Sequence, residues 1–108
     1  MAYERELALA REICAEAGAI QLAAAGGSPS VTLKTDHSPV TEVDRRCETH
    51  IRERLSAAFP SDGLLGEEGS RAESTSVRQW IIDPLDGTRP YVRGIPTYSV
   101  LLALEDRG

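Results

Sequence analysis

The segment Gln79-Trp80-Ile81-Ile82-Asp83-Pro84-Leu85-Asp86-Gly87-Thr88 constrains this chain more than any other stretch. Its first four residues predict a strand, because β-branched and aromatic side chains suit a pleated, half-buried surface. Proline brings no donor to a ladder and holds the residue before it extended, so Asp83-Pro84 is expected to stop that strand. Asp83 and Asp86 would then flank a proline-led turn that can aim both carboxylates into one pocket, with the Leu85 carbonyl free to join them. Gly87 permits close backbone approach, and the amides of Gly87 and Thr88 can face an anion. Asp-Pro and Asp-Gly are also ordinary turn dipeptides, so each residue taken singly fits a plain surface turn as well.

Such a segment needs a core to hold it, and 108 residues suffice for a single domain. Residues 3–25 carry a helical stripe of Leu9, Ile13, Ala17, Ile20 and Ala24, and Gly26-Gly27-Ser28-Pro29 is expected to end that helix. A short extended piece over residues 30–35 and a turn at Asp36-His37-Ser38-Pro39 follow. A second helix is expected from Thr41 to about Phe59, with Val43, Cys47, Ile51, Leu55 and Ala58 inward and Arg45, Arg46, Glu48, Arg52 and Glu53 in water. Thr41 and Asp44 have the spacing of a weak capping box. Leu64 and Leu65 start a short strand that delivers Gly66-Glu67-Glu68-Gly69, and residues 70–78 read as a polar loop. Residues 98–104 are nearly continuously apolar, the pattern of a strand buried on both faces, and residues 105–108 look like the opening of a turn. Trp80 is expected in the core, and Lys34 and His37 in solvated loop.

Charge and composition exclude several function classes. The formal net charge is −5 and aromatics make up 5%, which gives no footprint for nucleic acid or for an anionic membrane surface. The charged N-terminus lacks the apolar heart of a signal peptide, and no apolar run is long enough to span a bilayer. Cys14 and Cys47 are then best read as reduced thiols, and the expected compartment is the cytoplasm.

Gly66-Glu67-Glu68-Gly69 and the Asp83–Thr88 stretch each follow an expected strand, so their carboxylates would emerge at strand ends. Carboxylates gathered closely repel unless a proton or a cation intervenes. Oxygen ligands that include a backbone carbonyl suit Mg²⁺ or Mn²⁺ rather than zinc. Two such ions about 3.5–4 Å apart are a recurring device of phosphoryl transfer. Alone, Asp44 reads as a helix cap and Glu67-Glu68 as a solvated loop.

In order along the chain, Ser38-Pro39-Val40-Thr41-Glu42-Val43-Asp44, then Gly66-Glu67-Glu68, then Trp80-Ile81-Ile82-Asp83-Pro84-Leu85-Asp86-Gly87-Thr88 closely resemble the inositol monophosphatase family, from about Lys34 to the last residue. The resemblance implies an α+β fold, the N-terminal portion of a layered α/β/α/β/α sandwich, with two helices packed on a largely antiparallel sheet. It implies a Mg²⁺-dependent phosphomonoesterase that hydrolyses a small phosphorylated metabolite with metal-activated water and no covalent intermediate. Glu67 would ligate the first metal, Asp83 would bridge two metals, the Leu85 carbonyl would complete the first site and Asp86 would hold the second. Thr88, hydrogen-bonded to Asp44, would orient the attacking water, and the Gly87 and Thr88 amides would receive the phosphate. Glu68 matches as an outer group or a third-metal ligand.

Family members are more than twice as long, and their second half supplies a further Asp from a Trp-Asp motif that this sequence lacks. Residues 1–108 therefore look like a single, truncated, N-terminal metal-binding domain. Alternatives are a non-catalytic remnant, or a half-enzyme that needs its missing domain. Gly94-Ile95-Pro96-Thr97-Tyr98 resembles histidinol-phosphate phosphatases more than inositol monophosphatases, which implies histidinol phosphate over an inositol monophosphate, and Arg89 and Arg93 fit either an anion contact or a solvated surface. An unpaired apolar last strand leads to an expectation of self-association or a homo-oligomer.

Overall fold

The computed structural model describes residues 3–25, 31–33, 39–93 and 98–107. Helix α1, Glu4–Ala24, begins after Tyr3, whose φ of 73° turns the chain into it, and carries Glu4 and Glu6 where the helix dipole favours negative charge. Its predicted stripe is the buried one: Ile13 and Ala17 are inaccessible, and Leu9, Ile20 and Ala24 pack beside them. Gln21 lies on the same side, buried, and its amide donates to the Pro84 and Ser99 carbonyls at 3.0 and 3.2 Å. The expected Gly-Gly-Ser-Pro stop, Lys34 and His37 lie outside the described residues.

Helix α2, Glu42–Ala58, starts with a full capping box: the Asp44 amide donates to the Thr41 hydroxyl, and the Asp44 carboxylate accepts from the Thr41 amide. Val43, Cys47, Ile51 and Leu55 are buried as the period predicts. Glu48 departs from the expectation. It is not on the wet face but 2% exposed, because Asp44, Glu48, Ile51 and Leu55 form their own inward row at helical spacing. Both thiols are free, and the Cys47 Sγ–H, against α1, donates to the Ala17 carbonyl at 3.5 Å.

Two short strands, β1 (Val31–Leu33) and β2 (Pro39–Thr41), pair antiparallel ahead of α2. The main sheet holds β3 (Gly63–Gly66), β4 (Arg71–Ala72), β5 (Arg78–Asp86) and β6 (Ser99–Asp106) in the order β4-β3-β5-β6. The sheet is largely antiparallel, as expected, but mixed: its two outer pairings are antiparallel, while the central pair, β3 and β5, runs parallel with Leu64 beside Trp80 and Gly66 beside Ile82. Both helices cover one face. Leu64, Trp80 and Ile82 on that face are buried, and Leu102 and Leu104 pack against them.

Three further expectations change. The strand does not stop at Asp83-Pro84 but continues to Asp86, with a register irregularity against β6 between Asp83 and Asp86. A bulge is where a strand tolerates a residue with no N–H to give. The last strand is not buried on both faces and outlasts the expected turn, ending at Asp106. Its residues alternate, with Val100, Leu102 and Leu104 half-buried under α1 while Leu101 and Ala103 face outward. Within the expected loop over residues 70–78, Arg71–Ala72 pairs with β3 as a short edge strand.

Candidate active site

Gly87, at φ 92°, turns the chain from β5 into a short helix α3, Thr88–Val92. A side chain is strained at that φ, which gives the glycine of Asp-Gly-Thr its reason. Pro90 falls in the first turn of α3, where its missing N–H costs no intrahelical bond. Tyr91 anchors the helix, its hydroxyl donating to the Gln21 carbonyl at 2.8 Å and its burial raising the pKa of that hydroxyl.

Thr88 is thereby delivered to Asp44. The Thr88 hydroxyl donates to Asp44 Oδ1 at 2.9 Å and lies 3.3 Å from the Leu85 carbonyl oxygen. A hydroxyl has one hydrogen, and the charged acceptor at the shorter distance takes it. The remaining lone pairs of Thr88 can therefore only accept, as a group that orients a water must. Asp44 is 1% exposed, and its other oxygen is occupied by the Thr41 amide and hydroxyl. One carboxylate thus caps α2 and fixes the threonine of α3.

On the other side of β5, the Glu67 amide donates to the Ile82 carbonyl at 3.0 Å, which carries the parallel register one step past Gly66 and sets Glu67 beside Asp83. Asp83 is half-buried and Asp86 exposed, at the two ends of the irregular stretch. The structure therefore joins Asp44, Thr88 and the Leu85 carbonyl directly, and Glu67 to Asp83 by strand register. It does not gather Glu67, Asp83 and Asp86 into a group: among the described residues, no three His, Cys, Asp or Glu side chains stand close enough to hold one metal ion. As a donor set, Glu67 and Asp83 with the Leu85 carbonyl are hard oxygen ligands that fit Mg²⁺, an ion usually held by one or two carboxylates with water completing its shell. Arg89 and Arg93 are exposed.

Two structural carboxylates were not foreseen. Glu48 accepts from the Glu68 and Ser70 amides, each at 2.8 Å. Asp62, between α2 and β3, is buried and accepts from the Trp80 indole at 2.9 Å. For Glu48 a signal existed: it stands four residues after Asp44, on the same inward row. Nothing in the sequence distinguishes Asp62 from an ordinary turn residue.

A helix pair over one face of a mixed sheet, with acidic residues where its parallel strands end, defines an α+β protein of the layered kind. The chain belongs to the inositol monophosphatase family, whose model matches residues 2–108. It is 48% identical over 104 residues to a histidinol-phosphatase of Chlorobaculum parvum, an alignment that covers 95% of this chain and 40% of that protein. It is 44% identical over 79 residues to an inositol-1-monophosphatase of Rhizobium meliloti, covering 72% of this chain and 30% of that one. Among solved structures, the extragenic suppressor protein SuhB of Bartonella henselae superposes with a TM-score of 0.92 at 32% identity, covering 97% of this chain and 42% of that one. The chain thus spans about two fifths of the length of the first relatives it matches.

Proposed function

We propose that this chain is the N-terminal metal-binding portion, a single domain over residues 1–108, of a Mg²⁺-dependent phosphomonoesterase acting on a small phosphorylated metabolite. The observation that carries it is the Thr88 hydroxyl, its proton committed to buried Asp44 and its lone pairs open beside the Leu85 carbonyl. Glu67, Asp83, Asp86 and the Leu85 carbonyl are the residues that would hold Mg²⁺, or Mn²⁺ in its place. Bound there, the ion would supply an activated water and offset the charge on the phosphoryl oxygens. Thr88 accepts a hydrogen from the attacking water and so aims its oxygen at phosphorus. The amides of Gly87 and Thr88 cradle the phosphate; the water oxygen bonds to phosphorus as the P–O ester bond breaks, and the proton the water gives up ends on the leaving alkoxide, releasing alcohol and inorganic phosphate. Histidinol phosphate is the favoured substrate, supported by the histidinol-phosphatase likeness and the Gly94–Tyr98 pattern, with an inositol monophosphate as the alternative. A cytoplasmic setting accords with the described helices, of which none is long and apolar enough to cross a membrane.

A second reading, a half-enzyme that needs donors from elsewhere, is favoured by the chain's spanning about two fifths of the length of the relatives it matches. Both readings are tested on the purified chain by Mn²⁺ and Mg²⁺ calorimetry together with phosphate release from histidinol phosphate and inositol 1-phosphate. The first expects one weak metal site, abolished by Asp83→Asn, with slow turnover that falls further in Thr88→Ala. Metal binding without turnover selects the half-enzyme. No metal binding at all overturns the metal assignment.

A further inference from the structure

Glu48 is 2% exposed on a helix whose sequence offers it every chance to face water. Its two carboxylate oxygens are each taken by a backbone amide of one loop: Oε1 by Glu68 and Oε2 by Ser70, both at 2.8 Å. The same loop closes on itself, the Gly66 amide donating to the Ser70 carbonyl at 2.8 Å and the Gly69 amide to the Gly66 carbonyl at 3.2 Å. Gly66 has no side chain for a reason of space: a Cβ there would sit 2.5 Å from the Glu48 carboxyl carbon. The carboxylate therefore fills the hollow of the loop that carries Glu67 and Glu68, and its partners are fixed amides.

We propose that Glu48 is a positioning residue that seats the loop over residues 66–70 so that Glu67 is held for the cation, an inference that rests on the metal-binding reading above. Asp44 and Glu48 lie one helical turn apart on α2. The first fixes Thr88 and the second fixes the Glu67 loop, so one helix registers the two sides of the site against each other. Outer groups of this kind typically matter about 10–100-fold in metal affinity.

The test compares Glu48→Gln with Glu53→Gln, an exposed glutamate on the same helix, in the full chain. Glu48→Gln keeps the side chain's size but turns its amide N–H₂ towards a backbone N–H, so one of the two bonds is lost. The Mn²⁺ dissociation constant is expected to rise about tenfold or more at a temperature well below melting. Hydrogen exchange at the Glu68 and Ser70 amides is expected to speed up about tenfold in the metal-free chain, with β5 amides unchanged. Gly66→Ala, which crowds the same carboxylate from the loop side, should reproduce both effects if Glu48→Gln does not fold. A lower melting temperature with unchanged Mn²⁺ affinity and unchanged loop exchange would show Glu48 to be ordinary core and overturn the proposal. Absence of Mn²⁺ binding in the unaltered chain would overturn the metal reading and the cation role with it, a different result from unaltered binding in Glu48→Gln.

Discussion

At the scale of single residues, the fold leans on a few carboxylates that no hydrophobic pattern reveals. Asp62 accepts from the Trp80 indole at 2.9 Å, from Arg78 at 2.9 Å and from the Ser76 hydroxyl at 3.0 Å. Asp62→Ala leaves a buried indole N–H and a guanidinium short of a partner, and is expected to cost about 2–3 kcal/mol by urea titration followed through Trp80 fluorescence. Arg78 also reaches Glu6 of α1 at 2.7 Å, and that hydrogen bond holds the Glu6 carboxyl below its ordinary range. A depressed carboxyl stabilises above its unfolded pKa, and the gain is lost as pH falls through the folded value. Glu6→Gln should therefore remove part of the acid-side fall in melting temperature and leave the neutral side without that contribution. The capping role of Asp44 was legible because Thr41 and Asp44 are neighbours in sequence. The partners of Glu48 and Asp62 were not legible, since they are loop amides and an indole 18–22 positions away, and only the place of Glu48 four residues after Asp44 hinted that it faces inward.

Among the elements, helices were read well because each buries one stripe of recurrent period, whereas the strands were read by their punctuation and misjudged there. Asp83-Pro84 looked like an end because proline removes a ladder donor, yet the irregular register absorbs the loss and the strand resumes to Asp86. The parallel pairing of β3 with β5 was beyond reach, since it is decided by where β4 sends the chain and not by either strand's own residues. Gln21 shows what holds the irregular stretch against α1: its amide serves the carbonyls of Pro84 and Ser99. Gln21→Leu keeps the volume and strands both carbonyls, so a loss of about 1–3 kcal/mol is expected from thermal melting. Gln21→Glu, which offers no donor when ionised, should do no better at neutral pH.

For the whole molecule, the face of the sheet away from the helices decides behaviour in solution. Leu65, Ile81 and Leu101 stand on it, 40%, 40% and 51% exposed, in neighbouring strands. An exposed apolar face beside an edge strand invites association, so the mean mass in sedimentation should rise with concentration, and Leu101→Lys should shift it towards monomer without loss of helix content. A concentration-independent monomer would refute this. The thiol of Cys47 offers a different view of the same molecule. Burial, with the charge of Asp44 behind it, pushes that thiol up to about 11, and no solvent reaches it while α1 lies on α2. A thiol raised in this way stabilises below its unfolded pKa, and the gain disappears as pH climbs through the folded value. Alkylation of Cys47 near pH 8 thus has to wait for the helices to part, and its rate against that of half-buried Cys14 becomes a clock for those openings. Because Cys47 stands next to Glu48 and one turn from Asp44, that clock keeps time at the joint on which the site is hung, with no substrate and no metal needed to read it.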